Sequence, residues 1–326
     1  MPYSDQMQIE DPIHGTVEIE DRVLKDLMET SPVQRLKHVN QAGPQKYYME
    51  KPVTRYDHSV GVMLLLREFN AALEEQIAGL LHDVPHTAFS HLADYVFDTE
   101  DHEYHERFLE DVVRDSEIPE ILDQHGFELD HILDESNFHL LERDLPDLCA
   151  DRIDYFLRDW QQIGGGEVGN LLSDLSVEED RFVLTDREKG EDYSLKYIEA
   201  DERWWANPEE LAIWELFSRA IQRALETGIL EEEHLFGTDE EVYQALDSSE
   251  DERIEELLGA LESGLEVEVD PDFVAETKFR YVDPLVVDGR EKVRVTDYSE
   301  RLQERIEEHR SYLENGVPIS LRSPEI

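Results

Sequence analysis

This sequence has almost no cysteine, and few basic side chains beside its acidic ones. Cys149 is the single thiol among 326 residues, which rules out an intrachain disulfide and a thiolate zinc cluster. Thirty Lys and Arg face eighty Asp and Glu, a net charge of −50. So large a deficit argues against sequence-independent DNA or RNA binding on a broad basic face. It argues equally against docking on anionic membranes. No apolar run approaches the roughly 20 residues of a membrane span. The opening MPYSDQMQIEDP lacks the pattern of a signal peptide. The expectation is a cytoplasmic protein with no membrane partner and no broad nucleic-acid partner.

What is present suffices for a core, since 40% of residues are hydrophobic and 9% aromatic. Acidic residues run along the whole chain rather than collecting in a tail. Their mutual repulsion opposes compaction in dilute buffer. At 1 M salt the Debye length falls to about 3 Å and most of that repulsion is screened. A halophilic source is therefore expected, with an ordinary acidic mesophilic protein as the alternative.

Apolar residues recur at helical spacing over 21–40 and 58–82, the second apolar enough to be buried as two consecutive helices. Residues 103–115, 117–124, 136–162, 207–227, 238–247, 249–262 and 298–313 read as further helices. Residues 180–198, around RFVLTDREKGEDYSLKY, alternate like two strands about a Gly-containing turn and predict a β-hairpin. From about 265 the segments VEVD, AETKFRYV and EKVRV are strand-like. The fold class is thus mostly α: a helical core over 1–264 with a small β-hairpin, then a small α+β part over 265–326 across a soft boundary.

The densest chemical signal is His82-Asp83, closing the apolar run IAGLLHD. Pro85 disfavours helical geometry at Val84, so the pair sits where a buried helix ends. His86, His91 and Asp94 follow within twelve residues; His58 opens an apolar helix in RYDHSVGV, and Asp151 lies in LCADRIDYFLRD. Imidazole nitrogen and carboxylate oxygen suit a divalent ion such as Mn, Fe, Co or Zn. Ligands drawn from separate helices leave coordination positions open, as in catalytic rather than structural sites. Taken singly, His-Asp is more often a hydrogen-bonded pair and Asp151 a helix cap or solvated residue; the combination at the ends of apolar helices, in the order H…HD…D, favours the metal. Residues 31–56 add a second sign: Arg35, Lys37, Lys46, Lys51 and Arg55 face only Glu50. A locally basic stretch in so acidic a chain indicates selection for an anion. Arg55 is the best single candidate, because a guanidinium binds phosphate oxygens bidentately. Trp204-Trp205 read as core or interface residues, with base stacking as the alternative.

RYDHSVGV, GLLHDVPHTAFSH and ADRIDYFLRD, preceded by DPIHGTVEI at 11–19 and RLKHVNQAG at 35–43, resemble the HD-superfamily metal-dependent phosphohydrolases. More narrowly they resemble the branch of SAM-and-HD-domain deoxynucleoside triphosphate triphosphohydrolases. The similarity covers roughly residues 8–200 and is weak beyond. It implies an HD-domain helical core and one divalent metal ion, Mn, Fe, Co, Zn or Mg, held by His58, His82, Asp83 and Asp151, with Asp154 a rival for the last place. It implies His86, Asp94 and His105 around the scissile phosphate as proton donor, orienting carboxylate and phosphate contact. His86 and His105 stand as candidates for the acid, with Asp94 holding the imidazole; His91 matches a family position whose role is catalytic or structural. Gln41, Arg152, Tyr155 and Asp159 match positions lining the nucleotide pocket, Tyr155 at the sugar and Asp159 at the ribose 3′-hydroxyl. A nucleotide substrate and a homo-oligomer, dimer or higher, are further implications.

The chain also departs from the family. Pro85 stands where relatives often have glycine. The later helix that carries triphosphate contacts in the family offers Arg219 and Arg223 in ELFSRAIQRALETG, but no His or Tyr. No SAM domain or allosteric segment is recognisable. The expected function is hydrolysis of a deoxynucleoside triphosphate to nucleoside and tripolyphosphate. Hydrolysis of nucleotide mono- or cyclic phosphates, and a non-catalytic nucleotide sensor, are the alternatives.

Overall fold

The computed structural model describes residues 7–44, 52–97, 104–164, 166–262, 273–275, 277–289 and 291–319. Lys46, Glu50, Lys51, Gly165 and the VEVD segment lie outside them. The architecture is mostly helical, as the periodicity predicts. An N-terminal ribbon pairs Met7–Asp11 (β1) with Gly15–Ile19 (β2), antiparallel.

Behind it run the two central helices, Arg55–Glu68 (α1) and Leu73–Leu81 (α2). Thr54 and Asp57 form a capping box that starts α1, satisfying two otherwise unpaired donors. Val60, Val62, Met63, Leu64, Leu65 and Leu66 of α1 are all buried. They meet α2 closely at Gly79, where a methyl would come within 2.6 Å of Leu66 Cδ1. The chain leaves α2 at His82, turns through Pro85 and enters the short helix Leu92–Val96 (α3). Ala150–Gln162 (α4) crosses α1 and buries Ile153, Phe156, Leu157 and Trp160.

Three expectations need correction. Of the described residues of AETKFRYV, expected as a strand, only Ala275 lies in one, and residues 277–282 have no regular structure. Of 136–162 only α4 is one continuous helix. The stretch before it contains Pro146, and its Leu140 and Leu141 N–H groups are taken by Glu75 instead. The hairpin expected over 180–198 lies earlier: Leu175–Val177 (β3) pairs antiparallel with Phe182–Leu184 (β4). Arg187–Ala200 (α5) is a helix, N-capped by Asp186, which accepts from Glu188 N and Lys189 N. Gly190 is therefore not a turn residue. It lets α5 lie against a strand, since a methyl there would come within 2.6 Å of Val286 Cγ2.

Pro208–Thr227 (α6) anchors a second hydrophobic cluster with Phe89, Leu92 and the helices Asp239–Asp247 and Glu252–Glu262. After it come Phe273–Ala275 (β5), Leu285–Asp288 (β6), Glu291–Arg294 (β7), Glu300–Leu313 (α7) and Val317–Ile319 (β8). The four-stranded sheet has the order β3-β4-β6-β7, with β4 and β6 parallel, so strands from both sides of residue 264 share it. Val282, Val286, Val295, Leu302 and Ile306 belong to the same core cluster as α1 and α4. No described helix is long and apolar enough to cross a membrane.

Candidate active site

Three helices bring the chemistry together. His58 comes from the first turn of α1, His82 and Asp83 from the end of α2, and Asp151 from the first turn of α4. Ligand atoms of His58, His82 and Asp151 all lie within 4.8 Å of one another. His58 Nε2 is 2.9 Å from Asp151 Oδ1 and 3.8 Å from Asp83 Oδ2. His82 Nε2 is buried and makes no hydrogen bond, with Asp83 Oδ1 and Asp151 Oδ1 3.4 and 3.6 Å away. A buried nitrogen left without a partner is costly. Here its orientation is fixed from behind, because His82 Nδ1 is 2.8 Å from Gly79 O.

His58 is fixed in the same manner. Its Nδ1 is 2.7 Å from Asp154 Oδ2. Asp154 in turn accepts from Arg158 Nε at 2.7 Å, and Arg158 Nη2 reaches Asp11 at 2.8 Å. Both histidines thus commit Nδ1 to an outer acceptor and turn Nε2 inward, the pattern of metal-ligating imidazoles. Asp154 stands behind His58 and not beside Asp151. Gly61 makes this possible, since a methyl there would overlap both Arg158 Nη2 and Asp154 Oδ1.

Burial opposes charge on these groups, but their neighbours prevail. His58 is lowered by burial and raised more by its hydrogen bonds to Asp151 and Asp154, for a net rise. His82, lowered by burial and raised by Asp83 and Asp151, reaches about 10. Burial raises Asp83, but Arg55 and the surrounding histidines hold it well below the usual carboxylate range. Asp151 is lowered likewise by His58 and His82. The four side chains, with two inward nitrogens and two ionised carboxylates, fit a divalent ion.

Arg55 is buried beside them. It donates from Nη1 to Asp83 Oδ2 at 2.9 Å and from Nε to Ser90 Oγ at 2.8 Å. Ser90 holds a left-handed φ of 59° and donates to Asn40 O. Arg35, read with the anion-selecting stretch, has another task. Its guanidinium clamps the turn, donating to Val84 O, His86 O and Gly237 O at 2.9, 2.6 and 2.9 Å.

A second cluster adjoins the first. Ligand atoms of His86, His91 and His105 lie within 4.8 Å of one another, and the His86 and His105 rings stack with centroids 3.6 Å apart. His86 Nε2 is 3.2 Å from Asp83 Oδ1. The expected pairing shifts here, because Asp94 Oδ2 holds His91 Nδ1 at 3.1 Å while its Oδ1 accepts from Tyr104 N. Desolvation, then the charge on Arg55 and on His105, push His86 well down. Burial, then His91 and Arg55, bring His105 down to about 3.

One residue of each cluster, Asp151 and His91, lines a cavity of about 310 Å³. Gln41, Arg55, Arg152, Tyr155 and Asp159 all line it as well. Arg152 is engaged with the Asp147 and Arg143 carbonyls. Asp159 Oδ2 accepts from Trp205 Nε1 at 2.7 Å. Trp204 and Trp205, carried on the π-helical turn Asp201–Trp205, face the cavity. Arg219 and Arg223 pair with Glu215 and Asp251 and do not line it. Lys278 and Arg280, which the sequence placed in a strand, do. Glu210 and Trp214 are further lining residues that carried no motif signal.

Comparison with known proteins agrees with this geometry. The HD domain family matches residues 55–159, the span from Arg55 to Asp159. A Bacillus subtilis protein described as uncharacterized protein YdhJ is 37% identical over 323 residues, covering 97% of this chain and 99% of its own. A Cordyceps militaris protein described as metal-dependent phosphohydrolase cns2 is 34% identical, covering 70% of this chain and 69% of its own. The Danio rerio deoxynucleoside triphosphate triphosphohydrolase SAMHD1 is 36% identical over 105 residues, 27% of this chain and 16% of its own.

Proposed function

Since the chain belongs to the HD-domain metal-dependent phosphohydrolases, we propose that it hydrolyses nucleotides, with a deoxynucleoside triphosphate cleaved to nucleoside and tripolyphosphate as the leading reaction. One observation carries this reading above the rest. The partnerless Nε2 of His82 faces Asp83 and Asp151, and Asp151 lines the cavity.

His58, His82, Asp83 and Asp151 would hold the divalent ion. When bound, such an ion acts as a Lewis acid toward phosphate oxygen and makes water more acidic. The remaining work falls to the side chains. Arg55 sets a positive charge beside Asp83 and draws the phosphate to the same end of the cavity. His86, held neutral, spends its one N–H on Asp83, while neutral His105, stacked on it, would donate an N–H to a phosphate oxygen. His91 is braced through Nδ1 by Asp94; with burial disfavouring its charged form, its Nε2 is left bare and would accept a hydrogen bond from the attacking water. Tyr155 and Asp159 follow Asp151 at successive helical turns of α4 and meet the sugar.

A second reading, hydrolysis of nucleotide mono- or cyclic phosphates, is favoured by the pairing of Arg219 and Arg223 with carboxylates away from the cavity. Incubation with Mn²⁺ and a panel of nucleotides in molar KCl, with products identified by mass spectrometry, decides between them. Tripolyphosphate supports the first reading and orthophosphate or ring-opened product the second. No turnover of any nucleotide overturns both.

A further inference from the structure

Beyond the sugar contact at Asp159, the cavity has a distal wall whose chemistry the hydrolytic reading does not use. Asp159 lies eight residues beyond Asp151 on α4, about 12 Å along the axis at 1.5 Å per residue. At that end Trp205 is tied to Asp159, and Glu210, in the first turn of α6, lines the same wall with Trp214. Oε2 of Glu210 is buried and has no hydrogen-bond partner. A buried polar atom in that condition is rare in folded proteins and marks a contact made by something else. The nearby indoles offer flat apolar faces of the kind on which bases stack.

We propose that Glu210 reads the base, its carboxyl oxygen accepting a hydrogen bond from the exocyclic amine of a purine. This rests on the nucleotide reading above and adds to it a substrate class, the aminopurine nucleotides. A carboxyl group answers an N–H donor, whereas Arg280 on the same cavity answers carbonyl oxygens. Charge supports the assignment. Burial, then Glu209 and Asp159, raise Glu210 to about 8. At neutral pH it is therefore mostly uncharged and does not repel an anionic ligand. The indole faces favour the larger bicyclic bases by contact area.

The test is a binding cycle on the full-length protein with 2′-deoxynucleosides, which carry no phosphate to hydrolyse. Dissociation constants from equilibrium dialysis are compared for the adenine and unsubstituted purine nucleosides, which differ by the 6-amine. The guanine and hypoxanthine nucleosides, which differ by the 2-amine, form the second pair. In the wild type, at least one pair should favour its amine-bearing member by about 10-fold or more. In Glu210→Leu that ratio should fall to near one. Equal ratios in wild type and variant, no preference in either pair, or no binding at millimolar nucleoside overturns the assignment. Selective binding without hydrolysis of any nucleotide would sink the hydrolase reading alone. Hydrolysis without amine preference would sink the base reading alone.

Discussion

Asp154 Oδ2 stands 2.7 Å from His58 Nδ1, with both side chains wholly buried. The carboxylate fixes which imidazole nitrogen faces Asp151. Asp154→Asn should keep the fold but lower affinity for Mn²⁺ by roughly 10- to 100-fold, the usual cost of losing such a partner. Isothermal titration with Mn²⁺ measures it; unchanged affinity would show that the His58–Asp154 bond serves packing alone.

Gly61 supplies the room for that pair. Gly61→Ala places a methyl inside the space of Arg158 and Asp154, which are pinned to His58 and Asp11 and cannot simply swing away. Overpacking of this kind costs about 1–3 kcal/mol. Urea unfolding should show that loss together with weaker metal binding. An alanine variant as stable as the wild type would mean that the pair relaxes freely.

Much of this arrangement was legible in the sequence, because the site is built at helix ends. The apolar runs of α1 and α2 end in polar residues that cannot remain in the core, so His58, His82 and Asp83 announced themselves. Asp154 was harder. It lies three residues from Asp151, and only the crossing of α4 over α1 decides which carboxylate faces inward. Gly190 misled because a glycine between apolar residues reads as a turn, whereas here it serves contact between α5 and β6. Glu210 gave no signal at all: in a chain with eighty acidic side chains, one more Glu at a helix start is invisible until its burial is seen.

The raised position of Glu210 has a consequence for stability. A carboxyl raised in the fold binds its proton more tightly there than in the unfolded chain. Its contribution is complete below about pH 4.3, its unfolded value, and is lost as pH rises through about 8. Glu210→Gln removes the titration. Its stability should match the wild type near pH 4 and exceed it near pH 9 by roughly several kcal/mol. Parallel stability profiles over that range would contradict the account.

With a net charge of −50, the folded chain should gain stability from salt. Raising KCl from 0.1 to 2 M shortens the Debye length from about 10 Å to below 3 Å and should raise Tm by several degrees. A flat or falling Tm would show that the acidic surface is not self-repelling in the folded state.

The central claim is that His58, His82, Asp83 and Asp151 share one divalent ion. Elemental analysis of protein dialysed against excess Mn²⁺ and then freed of unbound ion measures it most directly, comparing the wild type with His82→Ala and Asp151→Asn. The account expects about one ion per chain in the wild type and a large loss in each variant whose fold, checked by circular dichroism, is intact. Equal metal content in the wild type and both folded variants would contradict it.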